Sequence, residues 1–312
     1  MVASFFESAL RCHVTFNSGY VSESVSLQYA ASQMCKKPAR RCLGVIDFNS
    51  RLVGYLSQRD VMRSCEMPYN DPVSRAMHVN PEVIQWNGNE TIAWAVRNFV
   101  IHDRRHLLGV SDDGRYSWIS LSSVVSAFLD WMIRNGDVLN PDNPILQLMK
   151  SNVGTAVSPN DAVSVSGDAT LLDAARLMNF ARKGSAVIVE PVLVSGERKR
   201  LNPLGIVTER DVLQAVADNK TLSEVPLSIF CGRYLVSVPH FNSHYAAALT
   251  MYKMGIRHVV VTDDDGSLYG VYGMRLFIRE LADCFPSEFL NQDPTLTHEG
   301  FNVERGSCGS SL

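Results

Sequence analysis

The chain has 312 residues, enough for two domains of ordinary size, and its 46% hydrophobic and 20% charged content excludes a disordered polymer. The net charge of -3, from 29 Lys+Arg against 32 Asp+Glu, excludes a global field that would recruit nucleic acid or anionic lipid. No apolar run approaches the roughly 18 residues of a membrane span. The start, MVASFFESALRCHVTF, lacks a basic segment followed by a long apolar core, so no secretory signal is expected. Seven cysteines occur without CxxC spacing. Cys12, Cys35, Cys42 and Cys65 crowd the first quarter, but they read as free thiols of a reducing compartment. A soluble cytoplasmic protein is expected.

Four apolar stripes at i, i+3, i+4, i+7 predict four short core-facing helices. In chain order the first is Leu27/Ala30/Ala31/Met34. A hairpin follows over 42–46 and 52–56, around Asp47-Phe48-Asn49-Ser50, and then a second helix near 58–66. The second stripe, Ile92/Ala95/Val96/Phe99, precedes strands at 107–110 and 116–119 around Asp112-Asp113-Gly114, with a helix at 121–133. The third, Leu171/Ala174/Ala175/Met178, precedes strands at 186–189 and 204–207. Their longer loop carries Arg198-Lys199-Arg200, read as a solvated tip, and a helix is predicted at 209–218. The fourth, Tyr245/Ala248/Leu249/Tyr252, precedes strands at 259–261 and 268–272 around Asp263-Asp264-Asp265-Gly266, then a helix at 274–284.

Short extended segments such as 81–86 and 162–166 lead into the stripes. Each unit is thus β-α-β-β-α, an α/β (α+β) pattern too small to bury both sheet faces alone, so units should pair. Boundaries are placed at 1–68, 69–134, 145–220 and 221–284. A turn-rich linker occupies 135–144 and a loose tail 285–312.

Two phrases support duplication. Gly54-Tyr55-Leu56-Ser57-Gln58-Arg59-Asp60-Val61 recurs 151 positions on as Gly205-Ile206-Val207-Thr208-Glu209-Arg210-Asp211-Val212. Arg105-His106 recurs as Arg257-His258, 152 positions on. A hydroxyl followed three residues later by an aspartate at a helix start can be a capping box. It can equally hold a sugar, because an ionised acceptor binds hydroxyls strongly. Gly54 and Gly205 lack a side chain where a ligand could approach the backbone. An arginine can grip phosphate in bidentate fashion, and a neutral histidine donates one hydrogen bond.

These units resemble cystathionine-β-synthase (CBS) domains, whose Gly-h-h-Thr/Ser-x-x-Asp signature (h apolar) matches Gly54–Asp60 and Gly205–Asp211. The resemblance spans about residues 10–283 and implies four CBS repeats forming two Bateman modules in a pseudo-symmetric disc. This is the layout of the γ regulatory subunit of AMP-activated protein kinase. It implies a non-enzymatic regulator that binds AMP, ADP, ATP or S-adenosylmethionine and controls an effector protein, with no obligatory cofactor and a homodimer as one assembly. Basic residues ahead of the hairpin contact phosphates in related proteins.

The aspartate marks units one and three, and Arg-His marks units two and four. Two composite sites are therefore expected: Gly54, Ser57 and Asp60 with Arg105 and His106, and Gly205, Thr208 and Asp211 with Arg257 and His258. Ser123 and Leu276 take the aspartate's place in units two and four, and Leu276 cannot accept a ribose hydroxyl. A scaffold with vestigial pockets and a nucleic-acid-associated regulator are the alternatives, the latter disfavoured by the near-neutral charge. Trp86, Trp94, Trp118 and Trp131 read as core or interface packing. His102, His240 and His244 show no metal-ligand spacing with nearby acids, so no metal is expected.

Overall fold

The computed structural model describes residues 5–9, 19–36, 40–79, 83–85, 90–110, 116–135, 140, 142–158, 161–193, 199–232 and 235–285. Unit one runs β1 (Tyr20–Ser22), α1 (Leu27–Cys35), β2 (Cys42–Ile46), β3 (Leu52–Ser57) and α2 (Gln58–Arg63), closed by β4 (His78–Val79). Unit two has β5 (Val83–Gln85), α3 (Ile92–Ile101), β6 (His106–Val110), β7 (Tyr116–Ser120) and α4 (Leu121–Asn135). After α5 (Pro144–Lys150), unit three comprises β8 (Ser164–Ser166), α6 (Leu171–Phe180), β9 (Ser185–Leu193), β10 (Lys199–Thr208) and α7 (Glu209–Ala217). Unit four comprises β11 (Ser237–Pro239), α8 (His244–Met254), β12 (His258–Thr262), β13 (Leu268–Gly273) and α9 (Met274–Asp283). The expected turn at 112–114, Cys12, Trp86, Arg198, residues 136–139 and 141 of the linker and the tail beyond Phe285 lie outside the described residues.

Each unit folds by one rule. Its first strand pairs parallel to the leading strand of the hairpin, and the helix between them makes the crossover. A hydroxyl caps every crossover helix: Ser26, Thr91, Thr170 and Ser243 each accept from a backbone N–H in the first turn. Leu27, Ala30, Ala31 and Met34 are buried as predicted, as are their counterparts in units two and three.

Unit four corrects the sequence reading. Its buried face is His244, Ala247, Ala248 and Met251, one residue out of register with the expected Tyr245/Ala248/Leu249/Tyr252. The cap fixes this register, and His244 occupies the position that leucine or isoleucine fills elsewhere. Its Nδ1 lies 2.8 Å from Tyr272 Oη inside the core. Burial holds the ring's pKa below the ordinary range, so it sits there neutral.

Pairing follows two kinds of face. Sheets pack within the sequence halves: Cys42 against Leu108 and Trp118 of unit two, and Val187 and Val189 against Val260 of unit four. Helices pack between the halves. Met62 and Val61 of unit one join Ala215 and Leu213 of unit three, while Phe99 and Phe128 of unit two join Met251 and Phe277 of unit four. All four units therefore meet at one centre. No helix among the described residues is long and apolar enough to cross a membrane.

Two segments depart from expectation. The third hairpin is longer than predicted, so Arg200 lies in β10 and pairs with Asp265 of unit four instead of marking a solvated tip. Phe5 and Phe6 cross to the core of units two and four, where Phe6 meets Phe128 and Phe285 at centroid distances of 5.6 and 4.6 Å. Phe285, the first residue of the expected loose tail, is thus buried. Phe6→Ala should cost about 3–5 kcal/mol, read as a lower urea midpoint. An unchanged midpoint would show that this N-terminal anchor is dispensable.

Candidate functional site

Ser57 and Asp60 form a capping box at the start of α2, and Thr208 and Asp211 form its counterpart at α7. Asp60 Oδ2 accepts from Ser57 N at 2.8 Å and from Ser57 Oγ at 2.6 Å. Asp211 Oδ2 accepts from Thr208 N and Oγ1, both at 2.7 Å. One carboxylate oxygen of each aspartate is thereby spent on the helix. Asp60 Oδ1 lies 4.0 Å from Arg63 Nη1. Capping by Oδ2 therefore leaves Oδ1 of Asp60 outside the cap.

The signature glycines have another explanation from the one expected. A Cβ on Gly54 would stand 2.6 Å from His78 O, and one on Gly205 would stand 2.6 Å from Phe230 O. The close approach at both positions is by the protein's own backbone, not by a space for ligand.

The hairpin register aligns the basic residues. Cys42, His106, Ser185 and His258 pair across from Ser57, Ser120, Thr208 and Gly273. The preceding residues are Arg41, Arg105, Gly184 and Arg257, so three of the four units send an arginine to the centre. Arg41 was not singled out from the sequence. The signal was its place immediately before a β2 residue, but no histidine follows it and Arg40 adjoins it.

Glu209, 1% exposed, receives Arg105 of unit two and Arg59 of unit one, the latter at 3.1 Å. The repeat-equivalent contact joins Arg257 Nη2 to Gln58 Oε1 at 2.6 Å. Gly184 makes room for the first arrangement, since a Cβ there would lie 2.7 Å from Arg105 Nη2. Each arginine of an even unit thus crosses to the odd unit of the other half.

This crossing reshapes the predicted sites. Ser57, Asp60, Arg105 and His106 line one cavity of about 280 Å³, as their expected grouping requires. Glu209 and Arg257 from the other half line it too, so all four units contribute. Five arginines face three carboxylates across this space. Arg257 and His258 do not gather around Asp211: Arg257 is engaged with Gln58, and both line a second, central space with Arg41, Arg105 and His106. Asp211 and Thr208 line none of the three cavities that meet here. The unit-four turn also folds Asp263 and Asp264 back to 3.7 and 3.8 Å from His240 Nδ1, a juxtaposition that sequence separation concealed.

Burial dominates the electrostatics. It pushes His106 down to about 3, with Arg257, Arg41 and Arg105 adding to the effect, and it takes His258 well below its ordinary value, with Arg257, Arg105 and Arg59 adding to it. Both rings are neutral at physiological pH. Burial, then Arg41, also lowers Arg257, while burial raises Asp60 against the hydrogen bonds from Ser57. The centre therefore holds more cationic groups than its carboxylates neutralise.

Four paired β-α-β-β-α units thus meet around a basic centre lined by Arg41, Arg105, Arg257 and Arg275. Residues 146–218 match the CBS domain family, and this segment is a CBS domain. Protein MJ1225 of Methanocaldococcus jannaschii, described as a candidate archaeal homologue of γ-AMPK, shares the fold: TM-score 0.66 and 16% identity over 88% of this chain and 99% of its own. An uncharacterised 17.7 kDa protein of Acidianus ambivalens is 27% identical over 148 residues, covering 47% of this chain and 83% of its own. CBS domain protein PAE2072 of Pyrobaculum aerophilum, solved with AMP, is 29% identical over 45% of this chain and 95% of its own, with TM-score 0.35.

A base whose folded pKa is depressed takes up its proton only on unfolding. The stability it confers is full above 6.5 and is lost as pH falls toward 3. Between pH 7 and 5, urea titration should show His106 alone costing about 2 kcal/mol. His106→Asn should flatten that fall, and an unchanged pH profile would contradict a buried neutral ring.

Proposed function

We propose that this protein is a non-enzymatic regulator that binds an adenine nucleotide in the Asp60 cavity and reports its occupancy to an effector protein. One observation carries the reading. A single cavity combines a buried carboxylate with an uncommitted oxygen, the neutral ring of His106, and five arginines. Asp60 Oδ1 would accept from ribose hydroxyls. Arg105 and Arg257, with His106 as a neutral donor, would take the phosphates. The CBS domain at 146–218 supports a regulatory role.

The charge balance orders the ligands. A cavity lined by five arginines favours the phosphates of AMP, ADP or ATP over S-adenosylmethionine, whose sulfonium and ammonium oppose the same field. Asp211 with Thr208 repeats the Asp60 arrangement, and we extend the proposal to a second ribose-holding position there. Because Asp60, His106, Glu209 and Arg257 belong to different units, a ligand would favour one relative arrangement of the halves and shift its population.

Thermal unfolding with AMP, ADP, ATP and S-adenosylmethionine tests this. At a hundredfold excess over Kd, a bound nucleotide should add about 2.7 kcal/mol. Asp60→Ala should weaken binding at least tenfold, beyond its loss of about 0.5–2 kcal/mol in unliganded stability from the cap. Asp211→Ala should act in the same sense on the second position. Equal affinity in Asp60→Ala and the parent, or no stabilisation by any nucleotide, would overturn the proposal.

A further inference from the structure

Gln58 and Glu209 hold the same place in the duplicated phrase, and both line the Asp60 cavity. They differ by one charge. Each meets an arginine from an even unit: Gln58 Oε1 accepts from Arg257 at 2.6 Å, and Glu209 pairs with Arg105. Glu209 also holds Arg59, at 3.1 Å. Two of the cavity's arginines therefore share one carboxylate, whereas the contact of Arg257 with Gln58 is to a neutral amide.

Unit three is shaped around this carboxylate. Where the other units have Arg41, Arg105 and Arg257, it has Gly184. A Cβ there would stand 3.2 Å from Glu209 Oε1 as well as 2.7 Å from Arg105 Nη2. The Glu209 N–H donates to Gly184 O at 3.2 Å, which ties the head of the helix to the same spot. The Glu209 side chain is 1% exposed, and a charge so enclosed is screened far less than one on the surface.

Such a charge acts on whatever enters the cavity. AMP, ADP and ATP differ only in their phosphates, and each further phosphate brings more negative charge into the same space. The arginines draw in all three. Glu209 repels each according to its charge, and it keeps Arg59 and Arg105 partly occupied. Discrimination between ligands so alike needs a repulsive element as well as attractive ones.

We infer that Glu209 sets the number of phosphates the Asp60 cavity accepts, penalising ATP relative to AMP, with Gln58 as its uncharged counterpart. The inference rests on the nucleotide reading above and adds a discrimination to it. Glu209 acts through Arg59, Arg105 and its field, so its role is in specificity and positioning.

Calorimetric titration of the full chain with AMP, ADP and ATP, without magnesium, reads the ratio Kd(ATP)/Kd(AMP). Glu209→Gln keeps the side chain's shape and should lower that ratio at least about tenfold, because the like charge is gone. Gln58→Glu sets a carboxylate beside Arg257 and should raise it. A merely structural role would shift the three affinities together. An unchanged ratio in the variants, or a ratio moved in the opposite sense, would overturn the inference. Phosphate, pyrophosphate and tripolyphosphate are titrated in parallel, since they carry charge without the ribose that Asp60 would hold. If the parent protein binds no nucleotide, this inorganic series decides. A steeper preference for tripolyphosphate in Glu209→Gln than in the parent supports the role of Glu209 and defeats the nucleotide reading alone. A series that ranks identically in both, or binds to neither, overturns the inference as well. Should Glu209→Gln not fold, Gln58→Glu decides, because its new carboxylate meets a guanidinium already in place.

Discussion

The structure turns on one buried carboxylate. Glu209 is almost wholly enclosed, yet it holds Arg59 of unit one and Arg105 of unit two from its own place in unit three. Taking such charges out of water is costly unless each finds a partner, and a buried pair broken on one side typically loses about 3–5 kcal/mol. Here both arginines come from the first half of the chain and the carboxylate from the second, so the ion pairs exist only when the halves are docked. At the equivalent position of unit one stands Gln58, which accepts from Arg257 but cannot neutralise it. The centre is therefore asymmetric in charge although nearly symmetric in shape.

That asymmetry links packing to chemistry. Helices join unit one to three and unit two to four, sheets join one to two and three to four, and Arg41, Arg105 and Arg257, just ahead of the hairpin strands of three of the units, line the central space. Desolvation, followed by a neighbouring arginine, lowers both Arg41 and Arg257, and desolvation of His106 and His258 keeps both rings from adding further charge. An anion of suitable shape is the natural complement of such a centre. In the proposed site Asp60 would separate a nucleotide from a bare anion, because the helix cap uses Oδ2 and leaves Oδ1.

The local logic of the fold was legible in the sequence, because each element is specified within about ten residues. Apolar stripes behind a capping hydroxyl gave three crossover helices in register, and the turn residues gave the hairpins. The fourth helix was misread because polar His244 occupies a core position, where its Nδ1 meets Tyr272, which is distant in sequence. Ser57, Asp60, Arg105 and His106, which repeat complementarity groups, line one cavity. The crossing of Arg257 to Gln58 and of Arg105 to Glu209 was not foreseen. These contacts span 199 and 104 positions and depend on how the halves dock, which no local period encodes. Arg41 was hidden for a related reason, since its role follows from strand register and not from a repeated dipeptide.

The central claim is that the excess positive charge where the four units meet is matched by a bound adenine nucleotide. Native mass spectrometry of the purified protein measures this directly. The account predicts a folded species carrying one or more adducts of nucleotide mass, lost in Asp60→Ala and restored to the parent protein by added AMP or ATP after stripping. A protein that remains bare in the presence of these nucleotides, with an unaltered charge-state distribution, would contradict it.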